Sequence, residues 1–340
     1  KHKKVLTQKE KEMSSIFEKV LHIDPEYQHL EKYVHIMYRG FWTPAKYEKN
    51  IKEVDAPHFF NILGEIDQET IKRCILAVSI VEDKIKTYWS TLSLDLPQTI
   101  IGDVGGLFGQ SEVTHRRSYH ALAEALNVDT DSIQEYEALK GRIEYLAKYI
   151  ETDPKIIGKK RILKKLVLFT SLVERCSLFT QFYILMSYAY NNRGLKTISS
   201  LQESTAIEED VHYSFGIDVI NIIKRQFPQL WDEYFIELVT DNIKVAYQSE
   251  LNLIDWFFEK GVPEHLTKEE VVNFLNYNFN IVCKDLELDL EYEVQDDLFN
   301  IKNAWFKAKV FMTTEPDFFD NMVSGYASDD EQIDLDNFKF

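Results

Sequence analysis

Two Glu-x-x-His segments, Glu112-Val113-Thr114-His115 and Glu209-Asp210-Val211-His212, have residue types and spacing suited to metal chemistry. Residues three apart on a helix share a face, so each segment presents a carboxylate and an imidazole one turn apart. A dinuclear metal site in a four-helix bundle takes two such pairs and one further Glu or Asp from each of two other helices. One Glu-x-x-His is common by chance. Two acquire meaning only when the further carboxylates stand where helices can bring them together.

Long amphipathic stretches place such carboxylates. From about Asp67 to Leu92, one stripe at helical spacing runs through Ile71, Ile75, Val78, Glu82, Ile85 and Trp89. Glu82 thus sits in the middle of an apolar face, where a carboxylate must be protonated, ion-paired or bound to a metal. Gly102, Gly105, Gly106 and Gly109 are expected to break the chain before the next helix. They lack the Gly-Lys-Ser/Thr ending of a phosphate loop and read as a tight turn with close packing. The helix after them carries Phe108, Glu112, His115, Tyr119, Leu122 and Leu126 on one stripe, so Glu, His and Tyr point where leucines are expected. A helix capped near Asp131-Ser132 and running to about Thr152 carries nothing comparable.

The stretch from about Lys159 to Tyr190 is apolar nearly all round, as a central helix is. Its internal acid, Glu174, shares a stripe with Leu163, Val167, Thr170, Leu178 and Leu185. The next helix, roughly 199–226, bears Glu208, Glu209 and His212 together with Val219 and Ile223. Helices at about 229–259 and 267–286 follow, the last opening with a capping box of Thr267 and Glu270.

The order is therefore Glu82, Glu112/His115, Glu174 and Glu209/His212 on four long helices. Separations of 30 residues from Glu82 to Glu112 and 35 from Glu174 to Glu209 fit antiparallel neighbours that bring the groups to one level. Singly, each residue has an ordinary explanation: Glu174 with Arg175 as an ion pair, His212 as a hydrogen-bonded core histidine, Tyr119 as packing. Together, four carboxylates and two imidazoles are the ligand set of a carboxylate-bridged metal pair. Manganese and iron suit such an oxygen-rich set better than zinc. The other seven histidines, His120 included, read as surface or packing residues.

Composition narrows the class. Among 340 residues, 12 Gly and 8 Pro are few, as in long helices, and 22 Phe, 18 Tyr and 5 Trp supply a large core. A net charge of −17 argues against nucleic-acid or anionic-membrane partners. Cys74, Cys176 and Cys283 are too scattered for a disulfide framework or a zinc site, which fits a reducing cytoplasm. No apolar run approaches the roughly 20 residues of a membrane span. The basic start, Lys1-His2-Lys3-Lys4, has no apolar segment behind it and is no signal peptide. Because the chain starts at Lys rather than Met, residues 1–20 read as flexible or as the remnant of a longer N-terminal module.

These residues resemble the radical-generating small subunit of class I ribonucleotide reductase, over most of the chain. The resemblance rests on Glu82, on Ser111-Glu112-Val113-Thr114-His115-Arg116-Arg117-Ser118-Tyr119, on Glu174 and on Glu208-Glu209-Asp210-Val211-His212. It implies that Glu82, Glu112, His115, Glu174, Glu209 and His212 bind two metal ions. Tyr119, four residues after His115, stands at the position of the family's radical tyrosine. Phe41-Trp42-Thr43-Pro44 is similar to the aromatic-Trp-x-Pro segment whose Trp lies on the radical-transfer route. Glu208 stands where the family often has an Asp linking a ligand histidine to that Trp. The acidic end from about Asn321 to Phe340 is similar to the flexible tail that docks on the large subunit, and Tyr326 matches its relay tyrosine.

Glu82 departs from the Asp common in diiron-tyrosyl members. It resembles subclasses whose oxidant is the metal pair itself, particularly the dimanganese subclass activated by superoxide. Two Mn ions are accordingly expected, with two Fe ions as the alternative, and Tyr119 either carries a radical or is retained without one. The implied function is to generate and store an oxidising equivalent that passes through Trp42 and Tyr326 to the large (alpha) subunit, where ribonucleotides are reduced. A fatty-acyl desaturase or ligand-binding oxidase would use the same ligands beside an elongated channel. A metal-storage subunit would share the bundle at about half this length. The expected fold is all-α: a ferritin-like helical bundle with additional helices over residues 1–315, a tail over 316–340, and a homodimer.

Overall fold

The computed structural model describes residues 14–311 apart from Lys86, and among these the chain forms helices and no strand. Tyr326 and the expected tail over 316–340 lie outside the described residues, as do residues 1–13. In chain order the α-helices up to Asp285 are α1 (Glu31–Arg39), α2 (Ala45–Asn50), α3 (Ala56–Asn61), α4 (Glu65–Ile85), α5 (Tyr88–Asp95), α6 (Thr99–Ala125), α7 (Glu137–Leu146), α8 (Gly158–Leu168), α9 (Phe179–Tyr190), α10 (Lys196–Gln226), α11 (Glu233–Phe257) and α12 (Lys268–Asp285). Between α8 and α9 the backbone widens to π geometry over Phe169–Cys176. Helix α4 packs on α6 and α9, and α10 packs on α8, α9 and the π segment. The result is the expected all-α, ferritin-like bundle, with α1–α3 on one side and α7, α11 and α12 around it.

Four sequence expectations about helix continuity are corrected. The helix expected from Asp67 to Leu92 is two, because α4 stops at Ile85 and α5 starts at Tyr88. The break lets α5 lie directly along α6, and the glycines show how. Far from breaking the chain, Gly102, Gly105, Gly106 and Gly109 lie inside the continuous α6. A Cβ on Gly105 would stand 2.4 Å from the Trp89 carbonyl oxygen, and one on Gly109 would stand 2.8 Å from Ser90 Cβ. The absent side chains are what allow the two backbones to touch, against a helix-propensity cost of about 1 kcal/mol per glycine. The close-packing half of the expectation holds; the turn does not.

The helix expected from Lys159 to Tyr190 is likewise interrupted, by the π segment. That segment approaches α10 closely at Gly216, where a Cβ would stand 2.2 Å from Thr170 Oγ1. Arg175 does not pair with its neighbour Glu174. It pairs with Asp210 and donates to Asn278 Oδ1 at 3.1 Å, which leaves Glu174 free to face the bundle interior. The helix expected from 132 to 152 is a short α7 between two 3-10 turns. It is fastened to α11 by a buried bidentate pair in which Arg142 Nε and Nη2 donate to Glu250 at 3.0 and 2.5 Å. The capping box of α12 forms as expected between Thr267 and Glu270.

Gly105→Ala is predicted to destabilise the protein by about 1–3 kcal/mol through overpacking against Trp89. Gly106→Ala, one position on, is exposed and has nothing within 4 Å of the added Cβ. It should be neutral or stabilising by up to about 1 kcal/mol, and urea unfolding of the pair checks both signs.

Candidate metal centre

Helices α4, α6, α10 and the π segment deliver six side chains to one point in the bundle. Glu82, Glu112, His115 and Glu209 form one group, and Glu112, Glu174, Glu209 and His212 form a second, with donor atoms of each group within 4.8 Å of one another. Donors that sit roughly 2.0–2.6 Å from a shared ion are separated by at most about twice that distance. Glu112 and Glu209 belong to both groups, the position of carboxylates that bridge two ions. All six residues are at most 1% exposed. The sequence-derived ligand set comes together in full.

Helices α6 and α10 run antiparallel across the site. His212 Nδ1 lies 3.1 Å from Glu112 Oε1, and His115 Nδ1 lies 2.9 Å from Glu209 Oε1. One turn further along, Tyr119 Oη donates to Gln202 Oε1 at 2.7 Å. The imidazoles turn Nδ1 inward, and their outer nitrogens are held. His115 Nε2 lies 2.5 Å from Glu208 Oε2, which as a carboxylate accepts the N–H and leaves the Nδ1 lone pair inward. His212 Nε2 lies 3.0 Å from Ser111 Oγ, whose own proton goes to the Phe108 carbonyl at 2.9 Å. Ser111 therefore accepts from Nε2–H, which leaves the lone pair of His212 Nδ1 facing the carboxylates of the cluster, 3.1 Å from Glu209 Oε2.

The donor atoms are short of partners inside the protein. Both carboxylate oxygens of Glu82 and of Glu112, Oε1 of Glu209, Oε2 of Glu174 and Nδ1 of His115 are buried without a hydrogen bond. Buried polar groups are nearly always satisfied, so this concentration of unpartnered donor atoms at one place suits the binding of cations. Carboxylate oxygens and imidazole nitrogens are the donor set of manganese or iron, and the residues present fit a metal pair.

Electrostatics of the metal-free cluster agree. Burial, reinforced by neighbouring carboxylates, drives the Glu82 and Glu174 carboxyls well above their usual range. Burial also opposes charge on Glu209, but the Glu174 carboxyl and the two imidazoles beside it hold it well below that range. His115 and His212 are disfavoured as cations by burial, yet the surrounding carboxylates raise both well above the ordinary histidine value. Without metal, protons neutralise the cluster.

Two contacts at the site leave no trace in the helical spacing of the sequence. Trp89 Nε1 donates to Glu174 Oε1 at 2.5 Å, and its ring lies against Phe108, Phe169 and His212. In the sequence Trp89 reads only as an apolar stripe residue; the break before α5 and the glycines of α6 bring it in. Gln202, the acceptor for Tyr119, carried no signal beyond standing seven residues before Glu209. Trp42 stacks on His115 with centroids 5.9 Å apart and planes at 24°. Its Nε1 has no hydrogen-bond partner, so Glu208 touches the histidine but not the Trp.

A family profile for the ribonucleotide reductase small chain matches residues 20–298. The chain belongs to the ribonucleotide reductase small chain family. It is 22% identical over 231 residues to the ribonucleoside-diphosphate reductase subunit beta of Chlamydia pneumoniae, covering 63% of each chain. The chain thus spans less than two thirds of the length of that curated relative. Among solved structures, a putative class I ribonucleotide reductase from Bacillus halodurans superposes with a TM-score of 0.71 at 17% identity, covering 83% of this chain and 99% of the other. Dimanganese(II)-NrdF of Streptococcus sanguinis superposes at 0.67 and 16% identity, over 79% and 92%. These likenesses show the family's bundle fold.

Since Glu82, Glu174 and the two histidines take up protons on folding, the metal-free protein should lose stability as pH rises above the ordinary carboxylate range. Metal displaces those protons, so adding Mn(II) to metal-free protein in weak buffer should release protons and abolish the decline, as pH-stat titration and thermal melts would show. Trp89→Phe, which removes the donor to Glu174, should weaken metal binding about 10- to 100-fold in a chelator competition.

Proposed function

We propose that this chain is the small, radical-generating subunit of a class I ribonucleotide reductase, an oxidoreductase active only with its large subunit. The observation that carries the reading is the closed cluster of Glu82, Glu112, His115, Glu174, Glu209 and His212, with Trp42 stacked on one of its imidazoles. Two bound manganese ions, or two iron ions, supply the one-electron oxidation. Glu82 in place of the shorter Asp favours manganese. The chain's residues hold the ions, bury them in the bundle and provide the exit. Electronic contact between His115 and Trp42 runs through their stacked faces, and Glu208 serves to fix the histidine. Tyr119 is 1% exposed, with its phenolic proton on a neutral amide oxygen of Gln202, which is an acceptor and no base. We assign residues 1–315 to the dimetal domain and 316–340, with Tyr326, to a docking tail for the large subunit, in a cytoplasmic homodimer.

The ligand-binding oxidase reading fares worse. The cavity that reaches Glu82, about 170 Å³, is lined mostly by polar groups, including Ser79, Arg116, His120 and Asp131. An acyl chain needs an apolar tunnel. No helix among the described residues is long and apolar enough to cross a membrane.

The test is metal analysis after separate loading with manganese and iron, followed by EPR and by assay with the cognate large subunit. Two ions per chain and nucleotide reduction are expected. A manganese-centred signal with no tyrosyl component would place the oxidant on the metals, whereas a tyrosyl signal lost in Tyr119→Phe would place it on Tyr119. No stoichiometric metal under either loading, or no reduction with the large subunit, would overturn the assignment.

A further inference from the structure

The cavity beside Glu82 takes no part in holding the metal pair. It is lined by Ser79 and Glu82 of α4, by Arg116, Tyr119 and His120 of α6, and by Thr130, Asp131 and Ile133 of the turn that follows. Asp131 and His120 are exposed, whereas Glu82 and Tyr119 are each 1% exposed, so the space joins the surface to one edge of the metal cluster. A volume of about 170 Å³ exceeds what one water needs several times over. Apart from Ile133 and the Tyr119 ring, the walls are polar.

Charge decides what this space would hold. Four carboxylates of the centre balance two divalent ions, so with metal bound Glu82 no longer presents a net negative charge to the cavity. The carboxylate of Asp131 lies in water at the outer end. Arg116 is then the cationic side chain of the lining; it is half-buried, and its Nε is buried without a hydrogen-bond partner in the protein. A buried cationic N–H without an acceptor is costly and calls for one from outside. The exposed imidazole of His120 adds a second donor near the mouth.

We propose that this cavity is an entry port and holding site for small anions of two or three atoms, the class that includes superoxide, hydroperoxide and azide, with Arg116 as the residue that binds them beside the Glu82 edge of the metal pair. The inference rests on the dimetal reading, and metal content measured in every variant reports on that reading separately. A long-chain carboxylate would not fit a space of about 170 Å³ with polar walls.

Azide is the probe. Protein carrying two manganese or two iron ions per chain is titrated with azide, followed by the change in the optical or EPR spectrum of the metal pair. Arg116→Leu should weaken azide binding about 10-fold or more, the scale of one charge-assisted hydrogen bond. Arg116→Lys, which keeps the charge, should retain part of the affinity. Ser79→Phe, which fills the passage without removing a charge, should slow azide entry at least 10-fold in stopped flow. Unchanged affinity in Arg116→Leu together with unchanged entry in Ser79→Phe, at two metal ions per chain, would overturn the port. If neither variant nor parent binds metal, the dimetal reading fails instead.

Discussion

Four carboxylates drawn within a few ångströms of one another in a buried interior repel each other strongly and cannot all stay ionised unless positive charge lies among them. The remainder of the architecture follows from that constraint. In the absence of metal the charge comes from protons, which is why burial drives Glu82 and Glu174 upward while both imidazoles are held cationic by their neighbours. Two divalent ions would replace those protons and satisfy the donor atoms that have no hydrogen bond inside the protein.

A cluster of this kind works only if its geometry is held by groups around it. Glu208 and Ser111 fix the outward nitrogens of His115 and His212, and Trp89 holds one oxygen of Glu174. Each of these contacts depends on a backbone feature away from the ligands. The Trp89 contact needs the helix break after Ile85 and a side-chain-free surface at Gly105, and the π segment that carries Glu174 needs Gly216 opposite Thr170. Metal ligation and helix packing are therefore one problem here: the glycines that weaken α6 and α10 as isolated helices are what let their neighbours reach the site.

The cluster of candidate ligands was legible in the sequence because it obeys helical spacing. Glu82, Glu112/His115, Glu174 and Glu209/His212 each occupy a position where an apolar residue belongs, and such positions face the core whether or not the helix continues beyond them. Continuity itself was not legible. Glycines in α6 carry a local signal for a turn, and only tertiary contact with Trp89 and Ser90 shows that they serve packing. The π widening at Phe169–Cys176 and the break before α5 are likewise settled by contacts from distant segments. Trp89 and Gln202 were invisible as site residues for a related reason. A hydrogen bond between residues 85 apart in the chain, such as that from Trp89 to Glu174, leaves no periodic trace.

The claim that everything else rests on is that these six side chains hold two ions. Anomalous diffraction from crystals of the manganese-loaded protein tests it directly. The account predicts two peaks in the bundle roughly 3.5–4 Å apart, one among Glu82, Glu112, His115 and Glu209 and the other among Glu112, Glu174, Glu209 and His212. A single peak, or none within reach of these residues, would contradict it.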